Sequence, residues 1–110
     1  MSTTIEKSSG NVYADLGLAD AQEMLVKARL ASKIGDIIKR QNLTQQQAAT
    51  LLAMPQPKVS LLLRGQFRGI SEAKMLECLS RLGRDIDIVV KPARKRGVAG
   101  AVGRVNVVFA

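Results

Sequence analysis

The sequence predicts a mainly α-helical domain of four or five helices, followed by one short C-terminal β-strand. Three observations predict it. Apolar residues recur at helical spacing from about residue 20 to residue 82, and Pro55, Gly65 and Gly83 punctuate that stretch as helix stops. A β-branched run, Ile86-Asp87-Ile88-Val89-Val90, then follows. The length, 110 residues, is that of one domain, and 46% hydrophobic residues suffice for a modest core. Aromatic residues are limited to Tyr13, Phe67 and Phe109, so the core must be aliphatic.

Residues 1–11 are polar and read as a flexible N-terminal arm. From Val12 to Leu18 a short lead-in offers Tyr13, Leu16 and Leu18 to the domain. Asp20 reads as the N-cap of a first helix, with Glu23 at the capping-box position. Leu25, Ala28, Ala31, Ile34 and Ile38 carry this helix to Arg40 or Gln41, with a bend expected near Gly35. Thr44 and Gln47 form a second capping box, opening a helix over residues 45–52 whose Ala48, Ala49 and Leu52 share one side. Ala53-Met54-Pro55 breaks it, because the residue before a proline is pushed away from helical angles. A third helix starts at Gln56 with Pro57 in its first turn, where a missing N–H costs nothing, and stops at Gly65. Ser71 caps a fourth helix bearing Met75, Leu76, Leu79 and Leu82, and Gly83 ends it. These stripes are core positions of helices that must bury them together.

The second and third helices, within LTQQQAATLLAMPQPKVSLLLRG, have the layout of a DNA-reading helix-turn-helix. At 100° per residue, Val59, Leu62, Leu63 and Gln66 fall on one side of the third helix. That side can pack on Ala48 and Ala49, whose small side chains let two helix backbones approach closely. Pro57, Ser60, Leu61 and Arg64 then face outward, as a recognition helix entering a major groove requires. An ordinary helical hairpin in a small bundle is the plainer alternative.

Charge favours the first reading. Seventeen Lys and Arg against nine Asp and Glu give +8, and a polyanionic partner suits such a surplus. Residues 1–43 hold six basic and five acidic residues, whereas residues 44–110 hold eleven and four. Several chemistries are excluded. With no His and a single Cys, zinc sites and disulfide frameworks lack ligands, and a histidine-based catalytic group is impossible. No cofactor, metal or enzymatic activity is expected. Cys78 reads as a half-buried core thiol. No apolar run approaches the roughly 18 residues of a membrane span, and MSTTIEKSSGN has no apolar stretch of signal-peptide kind, so a cytoplasmic location is expected.

The motif resembles the Xre/Cro-type helix-turn-helix family in Leu43-Thr44-Gln45, Ala49, Leu52-Ala53, Gln56, Val59-Ser60 and Arg64-Gly65. DLGLADAQEMLVKARLASKI upstream, with QPKVSLLLRG inside the motif, is similar to the HigA-like antitoxin branch, over about residues 12 to 92. The resemblance implies a lambda-repressor-like domain acting as a transcriptional regulator. It further implies a repressor that is also the antitoxin of a type II toxin–antitoxin pair, bound to a small basic ribonuclease toxin. A protein whose main role is toxin sequestration, and a stand-alone regulator without a toxin, are the alternatives. Ala53 departs from the family pattern, which has Gly at the turn. Either the turn differs here, or the chain tolerates a left-handed alanine at about 1–2 kcal/mol.

The residues expected at double-stranded DNA follow from their positions. Gln56 can pair its amide with adenine, Ser60 can reach a base edge or phosphate, and Leu61 can touch a thymine methyl or join the core. Pro57 shares that outer face. Gln45, at a helix N-terminus, is expected to hold a phosphate, with Lys58, Arg64 and Arg68 as flanking cations. Arg64 has the alternative of capping its own helix.

Ile86, Ile88, Val89 and Val90 are read as a strand that a homodimer pairs about a two-fold axis, since a lone strand leaves backbone groups unpaired. Two recognition helices in matching geometry would then meet the half-sites of a pseudo-palindromic operator. Residues 105–109 are a second strand candidate and a competing intramolecular partner. Residues 12–91 thus form the DNA-binding domain with its dimerisation strand, and residues 92–110 a basic tail. KPARKRGVAGAVGR, with five basic residues and no acid, is either a solvated tail or an arm along the phosphate backbone.

Overall fold

A computed structural model describes residues 18–93 and 102–110. Its helices are α1 (Leu18–Arg40), α2 (Gln45–Leu52), α3 (Gln56–Leu63) and α4 (Glu72–Arg81). The N-terminal arm, the lead-in with Tyr13 and Leu16, and the basic residues Arg94, Lys95 and Arg96 lie outside the described residues.

α1 already includes Leu18, so Asp20 lies in its first turn and is not its N-cap. There its carboxylate faces the positive end of the helix dipole, as Lys39 and Arg40 face the negative end. The helix runs unbroken through Gly35, where an added Cβ would stand 3.5 Å from Leu63 of α3. Its buried stripe is Val26, Leu30, Ala31, Ile34, Ile37 and Ile38. Leu25 is 57% exposed and Ala28 is exposed, contrary to the sequence expectation. The reason is angular. A spacing of three drifts by about 60° per step, which puts Leu25 about 180° away from Ile34. Lys27 instead lies within about 20° of Ile34, and it is buried.

The core joins the α1 stripe to Ala48, Ala49 and Leu52 of α2, Val59 and Leu62 of α3, and Met75, Cys78 and Leu79 of α4. Met54, Phe67, Ile70 and Leu82 fill the space between helices. Cys78 is wholly buried, deeper than its sequence neighbours suggested, and its thiol meets the Met54 sulfur at 3.4 Å. Burial pushes the Cys78 thiol up from its ordinary value, which keeps it protonated and inert.

The four helices of the described residues all end in the same way. At each, one N–H reaches back five residues and the preceding N–H reaches back three, the Schellman arrangement. The pairs are Leu43 to Ile38 and Asn42 to Lys39, Met54 to Ala49 and Ala53 to Thr50, Gln66 to Leu61 and Gly65 to Leu62, and Arg84 to Leu79 and Gly83 to Ser80. The arrangement needs a left-handed residue, supplied by Asn42, Ala53, Gly65 and Gly83 at φ 55°, 55°, 78° and 89°. Gln66 lies beyond the end of α3 and is exposed, so it does not share the inward side with Val59 and Leu62.

No strand forms among the described residues. Ile88, Val89 and Val90 are 80%, 73% and 90% exposed, and residues 84–93 form no ladder with other described residues. Residues 105–109 lie instead against α1. The Val105 N–H donates to Gln22 Oε1 at 2.9 Å, and the Phe109 ring lies 5.4 Å from the Arg29 guanidinium and 5.3 Å from the Lys33 ammonium.

Ala53 is exposed, so its side chain gains little packing for the strain it carries. Ala53→Gly removes about 1–2 kcal/mol of left-handed strain and adds about 0.5–1 kcal/mol of unfolded-state entropy. The variant is expected to be more stable by roughly 0.5–1 kcal/mol. A urea midpoint that stays or falls would show that the methyl group contributes more than its exposure suggests.

Candidate nucleic-acid interface

α2 begins at a complete capping box. The Gln47 N–H donates to Thr44 Oγ1 at 3.1 Å, and the Thr44 N–H donates to Gln47 Oε1 at 2.9 Å. Thr44 also accepts the Ala48 N–H through its carbonyl at 2.9 Å. The box therefore consumes the Gln47 side chain and leaves Gln45 and Gln46 exposed, with their N–H groups unpartnered among the described residues. Such free N–H groups at the positive end of a helix suit an anion. Gln46 is the neighbour that sequence reasoning did not single out. Its signal was available, since only the third residue of a capping box is committed.

α3 follows the left-handed turn at Ala53. Pro55 occupies its N-cap without a side-chain hydrogen bond, and Pro57 lies in its first turn. Val59 has no exposed surface and Leu62 is 2% exposed, which fixes the rotation of α3 about its axis. Gln56, Pro57, Lys58 and Arg64 are consequently exposed, while Ser60 and Leu61 are half-buried. The outer face is thus narrower than the helical wheel suggested, and polar or cationic mainly at its two ends. Arg64 takes the C-cap position through its backbone. Its guanidinium makes no hydrogen bond among the described residues, so helix capping by that side chain is not observed.

The segment after α3 is held from two sides. Phe67 and Ile70 are buried, and the Ile70 N–H donates to the Phe67 carbonyl at 2.9 Å across a turn. Arg68 and Gly69 are exposed at the tip of that turn. Below it, the buried Lys27 donates to the Arg68 carbonyl at 3.3 Å and pairs with Glu23 at 3.3 Å.

Charge is unevenly placed. Residues 37–71 contain no Asp or Glu at all, but they contain Lys39, Arg40, Lys58, Arg64 and Arg68. The ion pairs among the described residues are Glu23 with Lys27, Asp36 with Arg40, and Glu77 with Lys74 and Arg81. Each of them lies on α1 or α4. Hydrogen bonds first from Arg81 and then from Lys74 hold the Glu77 carboxyl below its ordinary value. Lys58 and Arg64 on α3, and Arg68 in the turn after it, have no carboxylate partner among the described residues. Their field therefore points outward uncompensated.

A hairpin of two short helices, the second presenting its N-terminal polar residues at a fixed rotation inside a carboxylate-free segment, is the arrangement of a groove-reading motif. A family model described as a helix-turn-helix domain matches residues 12–91. The chain belongs to this helix-turn-helix family. A solved structure named "Putative XRE Family Transcriptional Regulator" is similar to it, with 37% identity and a TM-score of 0.71. That likeness covers 83% of this chain and 99% of the other. The relation to Xre-type regulators therefore extends over the helical domain and beyond the motif. Among curated proteins no relative matches. No helix of the described residues is long and apolar enough to cross a membrane.

Proposed function

We propose that this chain is a sequence-specific double-stranded DNA-binding transcriptional regulator, a repressor that acts as a dimer on a pseudo-palindromic operator. The observation that carries the reading is the exposure of Gln56, Pro57, Lys58 and Arg64 on a rigidly seated α3, within a segment free of carboxylates. α3 is the recognition helix of this reading. Gln56 pairs with adenine, Pro57 and Leu61 give apolar contact, and Ser60 reaches a base edge or phosphate. Gln45 and the free N–H groups of α2 hold one phosphate, and Lys58, Arg64 and Arg68 neutralise others. The cytoplasm is the compartment in which such a repressor meets its operator.

The dimer of this reading pairs Ile86–Val90 with the same residues of a second copy. Its support is the exposure of Ile88, Val89 and Val90 and the docking of residues 105–109 on α1, away from any pairing with that segment. An additional antitoxin role is supported by the likeness of residues 12 to 92 to the HigA-like branch. A small basic ribonuclease reading frame beside this gene is the observation that would carry it. A toxin-sequestering protein with an incidental DNA site, or a regulator without a toxin, would differ in that neighbourhood.

Selection of bound duplexes from a random pool supplies the operator. On it, Gln56→Ala is expected to reduce the preference at one base position by about 1–3 kcal/mol. Arg64→Ala should weaken operator and unrelated DNA alike and lower the salt slope by about one charge. A loss from Gln56→Ala that is equal over all sequences would argue against base reading by that residue.

Val89→Pro removes a backbone donor and fixes an angle unsuited to a paired strand. It should yield folded monomers that bind half-operators normally and full operators weakly, because the second site is no longer tethered to the first. Light scattering alongside titration decides the matter. A variant that remains dimeric and binds the full operator tightly would sink the strand-paired dimer.

A further inference from the structure

We infer that Lys27 is a positioning residue for DNA binding, holding the peptide that follows Arg68 and so presenting the Arg68 guanidinium beyond the end of α3. The inference rests on the DNA-binding reading above. A buried ammonium is costly unless it is partnered. Lys27 is 6% exposed, and both its partners are on hand: Glu23 Oε2 one turn earlier on α1, and the carbonyl of Arg68, 41 positions along the chain. An ion pair to Glu23 alone could form with the lysine in solvent, as Asp36 and Arg40 do on the same helix. The bond to Arg68 is what gives the ammonium a reason to point inward.

Arg68 and Gly69 are the central residues of the turn from Phe67 to Ile70. Glycine at the third position of a turn favours type II, in which that residue takes φ near about +80°. Gly69 does not take a positive φ, unlike Gly65 and Gly83. Types I and II differ by a flip of the central peptide, whose carbonyl here belongs to Arg68. That carbonyl is the one Lys27 holds. Lys27 therefore selects one of two turns that Arg68-Gly69 would otherwise exchange between, and the buried Phe67 and Ile70 pin only the turn's ends. A guanidinium on a single backbone conformation reaches a phosphate without the ordering cost that a mobile one incurs.

The test uses the full chain and one fixed duplex of arbitrary sequence, because phosphate contacts carry no sequence information. Affinity is titrated over a salt series for wild type, Lys27→Met, Arg68→Ala and the double variant. Arg68→Ala should lose about three- to tenfold in affinity and about one charge of salt slope. Lys27→Met, which keeps its own distance from DNA, should lose most of the same factor and the same slope. The double variant should bind no worse than Arg68→Ala alone. Losses that multiply in the double variant, or a salt slope untouched by Lys27→Met, would overturn the inference while leaving the DNA-binding reading intact. A wild type that binds no duplex would overturn that reading and this inference with it. Should Lys27→Met fail to fold, Lys27→Gln takes its place, and a nuclear magnetic resonance readout needs no DNA. The amide signal of Gly69 should shift or broaden in the variant while those of Gly65 and Gly83 stay in place. An unmoved Gly69 signal would equally overturn it.

Discussion

Four helix ends in this chain close with the same pair of backward backbone bonds, and the closure at Ala53 governs the most downstream geometry. Met54 bonds back to Ala49 and Ala53 to Thr50, so the chain leaves α2 in one direction only. Pro55 then forbids a continuing helix and starts α3 within two residues. With so short a connection, the angle between the helices is set by the turn and by how closely their backbones approach. Ala48 and Ala49 permit that approach, and Val59 and Leu62 lock the rotation of α3 once it is made. Every exposed side chain on α3 inherits its direction from these few residues. An alanine in a left-handed conformation is a modest local strain of about 1–2 kcal/mol, retained because the surrounding core over-determines the turn.

The parts of this architecture that were legible in the sequence are those fixed by local chemistry. The caps and stops at Thr44, Pro55, Gly65, Ser71 and Gly83 act within four or five residues, so α2, α3 and α4 could be bounded by inspection. α1 was harder. Its apolar residues occupy most of the helix circumference, and the choice between the stripe through Leu25 and the stripe through Val26 is made by tertiary packing. Lys27 was invisible for a related reason: a lysine is normally a solvent marker, and the carbonyl that draws it inward belongs to a distant turn. Among the expected contact residues, the exposed ones lie at the ends of α3, while Ser60 and Leu61 in its middle are partly covered. A wheel of one isolated helix cannot show that, because the neighbours that cover the middle are not on it.

Charge is arranged on the same plan as packing. The carboxylates that could neutralise the basic surface sit on α1 and α4, where Glu23, Asp36 and Glu77 each hold cations of their own helix. The exposed pairs of Asp36 and Glu77 contribute little to stability. Their greater effect is to occupy cations away from α3. Lys58, Arg64 and Arg68 keep their positive charge uncompensated among the described residues, and they stand on α3, whose direction the Ala53 turn sets, and on the turn that follows it. Field and shape coincide there, which is what an approaching polyanion requires for both fast encounter and fixed register.

The C-terminal residues complete this division of labour. Val105 bonds to Gln22, Val107 packs against the core, and Phe109 lies near both Arg29 and Lys33, all along α1. Two cations at about 5 Å from one ring are held over an aromatic face, so part of the basic surface of α1 serves the fold itself. The docking also removes the nearest intramolecular partner that Ile86–Val90 could have had. An apolar segment with β-branched side chains, its backbone unpaired in any ladder among the described residues, is then left outside the helical core, adjoining α4 and remote in sequence from α3. Such an edge either attracts another strand or is a liability. In the proposed dimer a second copy satisfies it, and the length of chain between Leu82 and Ile86 becomes the short, inextensible link that fixes the separation of the two recognition helices.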